Sequence, residues 1–81
     1  MAKSNRPIDP NELTRLLGRA VRETRERVGI SQSELAAKAD LHPTYVSVVE
    51  RGLKSPTLYT LARIAKALEK KPSELIMLAE E

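Results

Sequence analysis

Helix-start signals recur at short intervals along this chain, and they leave room for helices and little else. Asp9-Pro10-Asn11-Glu12 offers a capping Asp, a Pro at the first helical position and a Glu placed to close a capping box. Ser31-Gln32-Ser33-Glu34 repeats the box, with Ser31 as cap and Glu34 reaching back. His42-Pro43 starts a third helix with His42 as an unusual cap, Thr57 follows Lys54-Ser55-Pro56 as the start of a fourth, and Pro72-Ser73-Glu74 opens a fifth. Stop signals alternate with these starts: Gly29 ends the first helix, Asp40 the second and Gly52 the third, while Lys70-Lys71 interrupts the fourth.

Apolar residues follow helical spacing between these marks. Leu13, Leu17, Val21, Thr24 and Val28 form the stripe of helix one, Leu35, Ala36 and Ala39 that of helix two, and Leu58, Leu61, Ile64, Ala65 and Leu68 that of helix four. Leu41 plugs the turn after helix two. The last helix carries Leu75-Ile76-Met77-Leu78, too continuous for a single core-facing stripe, so part of that surface is expected to meet another subunit. With 41% hydrophobic but only 2% aromatic residues, the core must be aliphatic, which suits packed helices better than a sheet. The reading is one all-α domain of five helices over residues 9–81, preceded by a mobile basic arm, residues 1–8, carrying Lys3 and Arg6.

Composition narrows function mainly by exclusion. No Cys and a single His speak against a disulfide framework, a thiolate metal site or an imidazole cluster, so neither metal nor cofactor is expected. No nucleophile, base and orienting group recur at a plausible site, which argues against an enzyme. No apolar run approaches a membrane span and the start lacks a secretion signal, so the expected compartment is the cytoplasm. Fourteen Lys and Arg against eleven Asp and Glu, net +3, permit a polyanionic partner without requiring one.

The informative constellation is the pair of short helices joined by a turn of about three residues, the helix-turn-helix arrangement that sets its second helix into a major groove. Around that second helix, Val46 and Val49 point toward Leu35 and Leu41, whereas Thr44, Ser47, Val48 and Arg51 fall on the other side. A merely solvated face favours Glu, Lys or Ala over β-branched Thr and Val. Thr and Ser can bond base edges, Val can meet a thymine methyl, and Arg can pair with phosphate or guanine.

The stretch SQSELAAKADLHPTYVSVVERG, followed by SPTLYTLARIAKAL, resembles the helix-turn-helix family of Cro, the phage lambda repressor and their Xre-like bacterial relatives. The resemblance implies a compact five-helix, lambda-repressor-like domain that binds double-stranded operator DNA, roughly palindromic, as a homodimer joined through its last helices. Leu75, Ile76 or Leu78 would then line the dimer interface. It further implies base reading by Pro43, Thr44, Ser47 and Val48, and contacts to the DNA backbone from Gln32, Ser33, Arg51 and Lys54. Tyr45 stands between a packing role and a backbone contact through its hydroxyl. The family pairing of an arginine with a glutamate carries over to Arg25 and Glu50. Asp40 stands where the family commonly has a turn glycine, and Pro43 where relatives often have Arg or Gln, so a bidentate base contact is missing and DNA shape, water or the arm must contribute more.

Several of these residues have plainer readings. His42 reads as a neutral cap, with a partial positive charge beside phosphate or pH sensing as the alternatives. Arg22, Arg25, Glu23 and Glu26 alternate as a salt-bridged surface would, and Met77 suits core or dimer filling. The expected function is sequence-specific transcriptional regulation, by a regulator of a restriction-modification or phage-like system among other possibilities. The competing reading is an antitoxin or adaptor whose protein partner is primary.

Overall fold

The computed structural model describes residues 9–81, and the expected basic arm, residues 1–8, lies outside the described residues. Five helices run in order: α1 (Pro10–Val28), α2 (Gln32–Ala39), α3 (Pro43–Glu50), α4 (Leu58–Ala67) and α5 (Pro72–Glu80). Their ends are set by local chemistry. Ser31 and Glu34 close a complete capping box at α2, with Glu34 N donating to Ser31 Oγ at 3.0 Å and Ser31 N donating to Glu34 Oε1 at 2.8 Å. Gly29 ends α1 in the left-handed region at φ 90°, and Asp40 ends α2 there at φ 58°.

Two terminal expectations are corrected. Asp9 caps α1 by accepting from Asn11 N at 3.0 Å, with no bond back from Glu12, so the expected box is a simple cap. The chain leaves α4 at Glu69, itself left-handed at φ 58°, where Lys70 N bonds Ala65 O at 2.8 Å. The Lys70-Lys71 pair follows that turn and does not cause it.

α1 packs on α3 and α5, α2 on α3 and α4, and α4 on α5, so the long first helix braces both the recognition region and the carboxyl end. The core is aliphatic, built on Val21, Leu35, Ala36, Val46, Leu61, Ile64, Ala65, Leu68 and Leu75, with Leu17, Ile30 and Leu41 packed at its edge. Three residues of the apolar stripes fall outside it: Leu13, Val28 and Leu58 are exposed, Leu58 at 73%. Each sits in the first or last turn of its helix, where the helical spacing continues but burial does not.

The crossing of α1 over α3 depends on Gly18. A Cβ there would lie 2.3 Å from the Val49 carbonyl oxygen and 2.8 Å from that of Glu50, so only a residue without a side chain lets the two backbones meet. Gly52 serves the same junction from the other side. It is left-handed at φ 74°, and an added Cβ would come within 2.8 Å of the Arg15 Cα.

Candidate nucleic-acid interface

α2 and α3 form the helix-turn-helix, and the turn between them has its own fastening. Leu41 N bonds Ala36 O at 2.8 Å, and Leu41 is half-buried against the core. From α4, Arg63 Nε donates to Ala39 O at 3.0 Å and its Nη2 donates to Asp40 O, while Nη2 lies 3.6 Å from Asp40 Oδ2. The guanidinium also sits 5.5 Å from the centroid of Tyr59. Arg63 therefore satisfies carbonyls at the end of α2 and ties the turn to α4. Sequence reasoning missed this residue. Its only signal was a charge adjoining the apolar stripe of α4, which most surface helices also show.

α3 is two-faced. Val46 and Val49 are buried, at 1% exposure each, which fixes the rotation of the helix. Pro43 and Thr44 stand exposed at its amino end, with Ser47 and Val48 half-buried further along and Tyr45 half-buried at the flank. Arg51 is exposed just after the helix, its Nε 3.4 Å from Ser47 O, and Lys54 is exposed on the loop to α4. Ser33 is exposed at the start of α2.

Below this face Arg25 and Glu50 are in contact. Arg25 Nε donates to Glu50 Oε2 at 2.6 Å and Nη2 donates to Oε1 at 3.1 Å, a fork on the carboxylate from α1 to the end of α3. Arg25 Nη1 donates to Ile30 O at 2.9 Å, so the same guanidinium also holds the α1–α2 junction. The side chains are 12% and 2% exposed, and the Glu50 hydrogen bonds hold the Arg25 pKa above its ordinary value against the opposing effect of burial.

Gln32 Nε2 donates to Glu50 Oε1 at 2.9 Å, so one of its two amide donors is engaged within the protein and the other remains. Glu50 is thus gripped from α1 and α2 together. With Arg22, Glu26 and Arg51 these residues line a shallow polar cup of about 200 Å³ beside the exposed edge of α3. No buried side-chain nitrogen or oxygen among the described residues lacks a partner. No group of His, Cys, Asp and Glu among those residues is placed to hold a metal ion.

Comparison with known proteins agrees with this architecture. Residues 21–75 match the family described as Helix-turn-helix. The control protein C.BamHI of Bacillus amyloliquefaciens is 39% identical over 67 residues, covering 82% of this chain and 83% of its own. The crystal structure of the clp gene regulator ClgR from C. glutamicum superposes with a TM-score of 0.82 at 31% identity, covering 96% of this chain and 95% of that one. The restriction-modification controller C.AhdI from Aeromonas hydrophila gives a TM-score of 0.75 at 38% identity, covering 79% and 96% respectively. A paired, buried support under a two-faced second helix, in a chain so similar to these regulators, places it in one class: the chain belongs to the helix-turn-helix family of DNA-binding transcriptional regulators.

Proposed function

We propose that this regulator reads a specific, near-palindromic operator as a homodimer, with residues 42–51 lying in the major groove. The observation that carries the reading is the outer edge of α3, exposed at Pro43 and Thr44 and half-buried at Ser47 and Val48, held over the hydrogen-bonded Arg25–Glu50–Gln32 support. Thr44 and Ser47 supply hydroxyl contacts and Pro43 and Val48 apolar contacts to base edges, while Gln32, Ser33, Arg51 and Lys54 surround that edge as candidate backbone contacts. Tyr45, half-buried on the flank, serves packing first and reaches the backbone only through its hydroxyl.

Dimerisation is supported by the far end of the molecule. Ile76 and Met77 of α5 are exposed at 38% and 63%, and Val28 at 48% joins Met77 and Leu78 along an open groove between α1 and α5. Leu75, expected at this interface, is instead fully buried in the protomer's own core and is removed from it. One short recognition helix contacts too few base pairs to select a site in a genome, and a second copy doubles the reading. The similarity to control proteins of restriction-modification systems favours a small regulator of that kind, acting in the cytoplasm by binding alone.

Operator sequences selected from random DNA, followed by titration at several salt concentrations, test the reading. The expected log-log slope is about −4 to −8 for a dimer, from roughly 0.9 per neutralised phosphate. Thr44→Ala and Ser47→Ala should each weaken the operator by about 1 kcal/mol while leaving random DNA nearly unaffected. No selected sequence and a flat salt response would instead point to a protein partner, as for an antitoxin or adaptor. Sedimentation showing only monomer at tens of micromolar, with and without DNA, would remove the dimer.

A further inference from the structure

The amino end of α3 has no free backbone donor left among its first residues. Pro43 carries no N–H, Thr44 N donates to His42 Nδ1 at 3.1 Å, and Tyr45 N and Val46 N donate to His42 O at 3.0 and 3.3 Å. This helix start, aimed at DNA in the reading above, therefore cannot offer its amides to an acceptor. All of its local donors end on a single residue, His42.

That arrangement decides the chemistry of the ring. A nitrogen that accepts from an amide carries no proton, so in this cap the ring proton of His42 sits on Nε2. In an imidazole ring the Nε2–H points nearly opposite to the Nδ1 lone pair. The lone pair faces into the helix, so the N–H faces out from its end, and the residue is exposed. The cap thus does two things: it satisfies an orphan amide and aims one fixed donor beyond the helix.

We infer that His42 is an operator-contacting residue whose Nε2–H donates to an acceptor on the DNA, either a purine N7 in the major groove or a phosphate oxygen beside it. The inference rests on the operator-reading function proposed above. It also accounts for Pro43. A proline at the first helical position supplies no donor of its own, and the residue before it takes over the polar contact at the tip of the recognition helix.

The test separates cap from donor. Serine is among the strongest helix caps but has no N–H to present at that distance, so His42→Ser should keep the thermal midpoint within about 3 °C of wild type. The same variant should lose about three- to tenfold in operator affinity, the usual worth of one hydrogen bond. His42→Asn, which caps through Oδ1 and still carries an amide donor, should recover part of that loss.

Wild type and His42→Ser are then titrated on operators carrying single 7-deazapurine or single methylphosphonate replacements. A position that weakens wild type but not His42→Ser identifies the acceptor, on a base in the first series and on the backbone in the second. Equal operator affinity for wild type and His42→Ser overturns the inference, as does a loss of affinity that no single replacement reproduces. Both outcomes differ from failure of wild type to select any operator, which would overturn the functional reading itself.

Discussion

Replacing Arg25 with Ala leaves the Glu50 carboxylate, 2% exposed, with Gln32 Nε2 as its remaining side-chain donor. Removing one partner of a buried ion pair costs about 3–5 kcal/mol, because the other charge stays buried and uncompensated. Gln32 offsets part of that, while loss of the Arg25 bond to Ile30 O adds about 1 kcal/mol. The expected destabilisation is about 3 kcal/mol. A domain of 81 residues has about 4–12 kcal/mol in total, so this variant sits near the edge of folding. Thermal unfolding followed by circular dichroism should show a midpoint lower by roughly 12–24 °C, at 4–8 °C per kcal/mol.

The companion Arg25→Met with Glu50→Leu removes both charges and leaves nothing stranded, so it should cost less than the single change. A double-mutant cycle completes the measurement, with an expected coupling above about 1 kcal/mol. A midpoint shift under about 4 °C for Arg25→Ala, or a coupling near zero, would refute the view that this pair fastens α1 to the recognition helix.

Three further outcomes follow from the same structure. Gly18→Ala should destabilise by about 2 kcal/mol or more in denaturant titration. Helix propensity alone would predict a gain of about 1 kcal/mol, but the new Cβ meets the Val49 carbonyl oxygen at 2.3 Å and the clash wins. Arg63→Met should lower operator affinity by loosening the α2–α3 turn while leaving the salt slope unchanged, because in this structure the guanidinium bonds the chain's own carbonyls at Ala39 and Asp40. Glu34 is held below its ordinary carboxylate pKa by the Ser31 backbone N–H and then the Ser31 hydroxyl. A depressed folded-state value stabilises above the unfolded pKa and is lost as pH falls through the folded one. Glu34→Gln keeps the box and should flatten the decline in melting temperature below about pH 5.

The sequence by itself determined the elements. Caps, prolines and left-handed stops at Ser31, Asp40, His42, Pro43 and Gly29 are local chemistry, settled within a few residues of chain, and the buried face of α3 at Val46 and Val49 follows from helical period alone. Resemblance to a family pointed to Arg25 and Glu50, which no spacing argument would have joined across 25 positions.

Only the tertiary structure decided the rest, because the remaining features depend on where separate helices meet. Leu13, Val28 and Leu58 keep the period of their helices and still face solvent, since period says which side is apolar and not how much of it the other helices cover. Leu75 goes to the core and Ile76 and Met77 to the surface by the docking angle of α5 on α1. Gly18 marks a backbone contact and Arg63 a clasp on another helix's carbonyls, and both need distances between segments far apart in sequence. Gln32 shows the same division. Its place at the start of α2 was legible, but its bond to Glu50 exists only because α1, α2 and α3 converge on one carboxylate.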